Sequence, residues 1–196
     1  MKNSIIPNKK EVILWSALDL MTKNGFEKTS VSQIVKHAGV AQGTFYLYFK
    51  SKSELVLGIA KIIVEDILNK ANSIICDSKT SLKSFIEQIT DLVYEMTLKH
   101  KSLIVFCYSG TAYYSALNEW DELYIPYYKW LYDKLIYFKE KGDVSADYDL
   151  NYLSKYIIGL LEHGAEQYYL YESIDSNLET SKKTMVSFIN NALKIT

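Results

Sequence analysis

The densest run of groups able to do chemistry in this chain lies between residues 30 and 52, and its chemistry is recognition rather than catalysis. Gln42 offers an amide, Thr44 a hydroxyl and a methyl, Tyr46 and Tyr48 phenols, and Gly43 no side chain at all. Placed outward on one short helix, these small uncharged groups fit a major groove, where amides, hydroxyls and methyls can meet base edges. Gly43 permits close backbone approach. Ser30 with Gln33, and Ser51 with Glu54, have the spacing of capping boxes. Two helix N-termini can therefore turn backbone N–H groups toward phosphates, and Lys52 adds a cation at the second of them.

The remaining reactive residue types do not assemble into a catalytic or metal site. Cys76 and Cys107 share no metal or redox spacing, which predicts free thiols in a reducing compartment. Glu162, His163 and Glu166 do not form the Glu-x-x-His repeat of di-iron bundles, and no second copy exists. The chain has no glycine-rich phosphate loop and no nucleophile elbow. The expectation is a protein that is not an enzyme and that carries no metal and no cofactor.

Charge is distributed unevenly. The net charge of the 196 residues is -1, yet residues 1–52 hold eight Lys against Glu11, Asp19 and Glu27, a net +5, which leaves -6 for residues 53–196. A basic head on an acidic body predicts that only the head binds an anion. All 22 basic residues are Lys, so the bidentate forks that Arg makes to guanine or phosphate are absent.

The elements that must position these groups read as helices throughout. Proline occurs only at positions 7 and 126, and no two-residue alternation suggests a sheet. The 48% hydrophobic content suffices for a sizeable core without staples. A first helix after Asn8 buries Ile13, Ala17, Leu20 and Met21 and stops at Gly25, which suits a Schellman ending with Phe26 against Met21. A second starts at Ser30 and breaks at Gly39, and a third spans 42–48 with Phe45 beside Phe49. Two short helices joined by a glycine-containing turn form a helix-turn-helix. A fourth runs from Ser51 to about Ile75. Further helices are predicted near 80–99, 101–110, 116–141, 148–172 and 177–194, with Pro126 kinking or splitting the third of these. The first thirty residues lack a signal-peptide layout, and the uncharged stretch 102–118 is too polar for a membrane span, so a cytoplasmic protein without membrane association is expected.

The run from Gly25 to Leu55, GFEKTSVSQIVKHAGVAQGTFYLYFKSKSEL, resembles the signature of the tetracycline-repressor (TetR) family. The shared features are an Ile-containing second helix, Ala-Gly-Val in the turn, Gly-Thr-aromatic-Tyr in the third helix and Tyr-Phe-x-Ser-Lys-x-x-Leu into the fourth. The resemblance implies an all-α protein of about nine helices. Residues 1–52 would form a helix-turn-helix DNA-binding domain and residues 53–196 a ligand-binding and dimerisation domain. It further implies a transcriptional repressor that leaves a palindromic double-stranded operator when a small lipophilic or aromatic effector binds. Carried over by position, Ser32, Gln42, Gly43 and Thr44 would touch base edges, and Tyr46, Tyr48 and Lys52 phosphates. Val31 stands where relatives have a phosphate-bonding hydroxyl, and Tyr48 where His is frequent.

The body of the chain is rich in tyrosine, with 17 in all. Tyr108, Tyr113, Tyr114, Trp120, Tyr124, Tyr127 and Tyr128 could line an effector cavity, and Glu119, Asp121 or Glu122 would then favour a cation against the rings. Alternatively the rings simply pack the core, and the protein is a dimeric DNA-binding protein without a small-molecule inducer. By the resemblance, the last two long helices pair with their symmetry mates in a homodimer through Leu153, Ile157, Leu160, Leu161, Gly164, Met185, Phe188, Ile189 and Ala192.

Overall fold

A computed structural model describes residues 8–108, 117–144, 147–171 and 177–193. Among the described residues all regular structure is helical, in nine helices: α1 Lys9–Asn24, α2 Val31–His37, α3 Gln42–Tyr48, α4 Lys52–Ala71, α5 Leu82–Lys99, α6 Lys101–Tyr108, α7 Leu117–Glu140, α8 Leu150–Leu170 and α9 Leu178–Ala192. None of the described helices is long and apolar enough to cross a membrane. The chain divides into two compact units, Met1–Ile62 with Ser102–Asp121, and Ile63–Lys101 with Glu122–Thr196. Helix α4 therefore gives its residues through Ile62 to the first unit and the rest to the second.

In the first unit, α1, α2 and α3 pack on one another around Ile13, Ala17, Met21, Ile34 and Phe45, which are almost wholly buried. The cap at Ser30 is the capping box read from the spacing: Ser30 N–H donates to Gln33 Oε1 at 2.8 Å and Gln33 N–H to Ser30 Oγ at 3.2 Å. At α4, Glu54 N–H donates to Ser51 Oγ at 3.1 Å, but the Glu54 carboxylate accepts from Lys50 N–H, one residue before the expected partner. Gly25 has φ +87° with ψ 154°, so the chain leaves α1 extended rather than curling into the predicted Schellman turn. That turn occurs instead at Gly39, φ +67°, where Val40 N–H reaches Val35 O at 3.0 Å and Gly39 N–H reaches Lys36 O at 3.3 Å.

In the second unit α5 is the central element, packed against both α8 and α9. Its Phe85 ring lies 5.2 Å from Phe138 and 6.0 Å from Trp130 of α7. The second half of α4 is tied to the end of α5 by charge. Asp66 accepts from Lys99 Nζ at 2.6 Å and contacts His100 Nε2 at 2.7 Å, and Lys70 lies 3.1 Å from Glu95. The lysine and histidine hold the Asp66 carboxyl below its ordinary range, the Lys99 hydrogen bond contributing most. Two expectations change. Helix α4 ends at Ala71, four residues early, and leaves Ile75 exposed. Helix α7 runs through Pro126 as one helix, so of the kink or break expected there the break does not occur.

Gly39 and Gly43 give a paired test of this geometry. A Cβ on either would meet no atom within 4 Å, so only backbone strain separates them. Gly39→Ala is expected to lower stability by about 1–2 kcal/mol because an L-residue is forced left-handed. Gly43→Ala, in ordinary helical conformation, should leave stability unchanged or raise it by up to about 1 kcal/mol. Chemical denaturation midpoints of the two variants check both outcomes.

Candidate nucleic-acid interface and effector site

Helix α3 presents the predicted face. Phe45 is fully buried, its ring 5.7 Å from Phe49, and it anchors the helix from within. Gln42, Gly43, Tyr46, Leu47 and Tyr48 are exposed and Thr44 is half-buried. Tyr46 rests edge-on against Phe45 at 5.3 Å while 54% of its surface remains open, so its ring packs and its hydroxyl end is free to reach outward. Ser32 is exposed on α2. Leu47 was missed in the sequence reading, although it follows Gly43 by one helical turn and is 80% exposed. A leucine so placed can meet a thymine methyl in the groove.

The lysines of this unit fall into two groups. Lys9, Lys10, Lys28, Lys36 and Lys50 are among those exposed, while Lys23 pairs with Asp19 at 2.7 Å. Lys52 is half-buried and turned inward. Its ammonium donates to Phe26 O at 2.9 Å and Thr29 O at 3.0 Å, and it lies 4.4 Å from the centre of the Phe26 ring.

The predicted effector residues do not come together as one set. Tyr113 and Tyr114 lie outside the described residues. Tyr108, half exposed, and Trp120, half-buried, belong to the first unit, whereas Tyr124, Tyr127 and Tyr128 belong to the second. There, Tyr124 and Tyr128 pair at 5.6 Å, and Tyr127, only 2% exposed, lies 6.1 Å from Trp130. Lys155 lies 5.1 Å over the Tyr128 ring. The acids named as cation partners, Glu119, Asp121 and Glu122, are all exposed at the surface. The acid among the rings is Glu162 of α8, which hydrogen-bonds with Tyr124 and faces Tyr127 and Glu166. Burial first, and Glu166 second, push its carboxyl up to about 8, against the lowering effect of the Tyr124 bond. Burial and the nearby Glu162 also raise the Tyr127 phenol. Periodicity could not have picked Glu162 out, because it lies beside the equally plausible His163 and one turn from Glu166. Among the described residues no three His, Cys, Asp or Glu side chains converge as a metal site.

The predicted dimer residues also separate into two sets. Ile157, Leu161 and Ile189 are buried within the chain itself. Gly164 serves a crossing within the chain: a Cβ there would lie 2.3 Å from Met185 Cε and 3.3 Å from the Tyr94 hydroxyl. Leu160, Phe188 and Ala192 are exposed, with Leu153 half-buried. Two residues not anticipated, Tyr152 and Tyr156, join them at 61% and 63% exposure, their rings 6.1 Å apart. These side chains line an apolar groove of about 320 Å³ between α8 and α9.

Comparison with known proteins accounts for both halves of the chain. Residues 13–59 match the family model described as bacterial regulatory proteins, tetR family, and residues 86–193 match the tetracyclin repressor-like C-terminal domain. The HTH-type transcriptional regulator YvdT of Bacillus subtilis is 34% identical over 185 residues, covering 94% of this chain and 95% of that protein. Among solved structures, the fatty acid degradation regulator FadR of Bacillus halodurans aligns with a TM-score of 0.75 at 20% identity, over 97% of this chain and 98% of its own. FadR of Bacillus subtilis, solved in complex with stearoyl-CoA, aligns with a TM-score of 0.62 at 19% identity, over 94% and 95%.

Glu162 makes stability depend on pH in a stated direction. Between its ordinary value of 4.5 and about 8, the folded chain keeps a proton that the unfolded chain has released. Stability therefore falls as pH rises through that window and levels off above it. Glu162→Gln is expected to flatten this slope and to melt higher than the parent at pH 8, with the difference vanishing near pH 4.5. Thermal melts across the window measure it.

Proposed function

The chain belongs to the TetR family of bacterial regulatory proteins, and from that premise we propose that it is a homodimeric cytoplasmic repressor released from a palindromic operator by a small lipophilic molecule. The observation that carries the reading is the outer face of α3, whose exposed groups are all uncharged while exposed lysines lie in the same unit. Such a helix enters a major groove without a desolvated charge, and the lysines supply the sequence-independent attraction. Ser32, Gln42, Gly43 and Thr44 meet base edges, and Tyr46 and Tyr48 meet the backbone. The absence of Arg favours an operator read through A·T edges and shape more than through guanine.

Dimerisation uses the exposed strip of Tyr152, Tyr156, Leu160 and Phe188 with the groove beside it. A two-fold pairing through this strip sets two copies of α3 about one DNA turn, ~34–36 Å, apart, so the operator is a near-palindrome. The effector lodges in the second unit, against Tyr124, Tyr127, Tyr128 and Glu162. That two fold neighbours are fatty-acid regulators, one of them solved with stearoyl-CoA, supports acyl compounds as the first class to try. The acid at Glu162 supports lipophilic amines as the second. Because α4 contributes to both units, its displacement by a ligand is felt at the head.

The test pairs operator titration with ligand screening. Acyl-CoA and lipophilic-amine panels are scanned by thermal shift, where a true effector at 100 times its dissociation constant adds about 2.7 kcal/mol. A hit must then weaken operator binding by the same factor by which operator weakens the hit; unequal coupling defeats the release scheme. Gln42→Ala is expected to narrow the ratio of specific to non-specific affinity by about 1–3 kcal/mol while leaving the salt slope intact. Equal losses on all sequences would remove Gln42 from the reading set.

A further inference from the structure

Lys52 opens α4, and the family resemblance places it against phosphate, yet its ammonium is already committed inside the protein. An ammonium has three N–H donors. Two of them are used at 2.9 Å and 3.0 Å by the carbonyls of Phe26 and Thr29, which lie 26 and 23 residues earlier in the chain. The same ammonium lies 4.4 Å from the Phe26 ring centre, where the ring face attracts a cation. The half-buried stem leaves the head little freedom to turn outward.

The segment that Lys52 grips is itself closed by hydrogen bonds. Thr29, 1% exposed, donates through Oγ1 to Gly25 O at 2.9 Å, and its N–H donates to Phe26 O at 3.3 Å. Phe26 is buried and Gly25 is fixed at positive φ. The loop from Gly25 to Thr29 connects α1 to α2, and Thr29 O belongs to the residue before the Ser30 cap. One side chain thus joins the α1–α2 connection to the first residue of α4, and the reading helix α3 lies between these two points in the chain.

We infer that Lys52 is a positioning residue for DNA binding, which clamps the α1–α2 loop to α4 and so fixes the orientation of α3, and that it neutralises no phosphate. The phosphate-facing charge falls instead to the exposed Lys28, Lys36 and Lys50. The inference rests on the head binding DNA, and the two can fail separately.

The experiment measures affinity for a duplex as a function of salt for the full-length parent, Lys52→Met, Lys52→Arg and Lys50→Ala, with the active fraction of each fixed by stoichiometric titration. Met keeps the stem over Phe26 and removes the donors. Lys52→Met is expected to lose at least about tenfold in affinity on every sequence with an unchanged slope of log K against log salt, and Lys52→Arg to recover most of the loss. Lys50→Ala should instead reduce the slope by about 0.9 per subunit, the signature of one lost phosphate contact. A slope reduced in Lys52→Met as in Lys50→Ala, or no loss of affinity at all, overturns the inference. If Lys52→Met fails to fold, the ammonium resonance of Lys52 in the parent decides. It should be protected from exchange in the free protein and unmoved by added duplex, and a DNA-induced shift would refute the clamp. A parent that binds no duplex in low salt would refute DNA binding itself.

Discussion

Helices of seven residues fall well short of the roughly 12–15 at which an isolated helix becomes marginally stable in water. Both α2 and α3 have that length, so neither exists without what surrounds it. Ile34 and Phe45 supply the burial, seated against Ile13, Ala17 and Met21 of the much longer α1. The ends are held by polar groups: the reciprocal Ser30–Gln33 cap at one terminus and the Gly39 turn at the other. Helix α3 has no side-chain cap of its own, which makes it the more dependent of the two. Its direction is set by Phe45 and Phe49 from beneath and by the neighbours that fix its flanks.

The chain keeps two different physical environments apart. In the first unit α3 exposes the uncharged Gln42, Tyr46, Leu47 and Tyr48, and Lys28, Lys36 and Lys50 are exposed in the same unit. In the second unit Glu162 lies among Tyr124 and Tyr127, while Tyr152 and Tyr156 are exposed on α8. The net +5 of residues 1–52 against -6 for the remainder is the sequence-level trace of this arrangement. A basic part attracts a polyanion more strongly than an acidic one.

What could be read from the sequence was whatever depends on neighbours close in the chain. The cap at Ser30, the Ser51 half of the next cap and the Phe45–Phe49 pair are set within a few residues, and spacing reveals them. The Schellman turn expected at Gly25 falls at Gly39 instead, although both glycines follow a helix and both have positive φ. Long-range facts left no local signal. Lys52 meets carbonyls more than twenty residues away, Gly164 makes room for Met185 of another helix, and Glu162 differs from Glu119 only in which way its helix faces. Tyr152 and Tyr156 sit on α8 with the same spacing as core residues, and periodicity cannot tell an outer apolar strip from an inner one.

Burial raises the hold of the Glu162 carboxyl on its proton, with Glu166 adding to it. Any guest that restores the negative charge on Glu162, by bringing a positive group to it, must expel that proton into the surrounding medium. Occupancy then follows the product of guest concentration and alkalinity, and the heat of binding carries the ionisation enthalpy of whatever buffer accepts the proton.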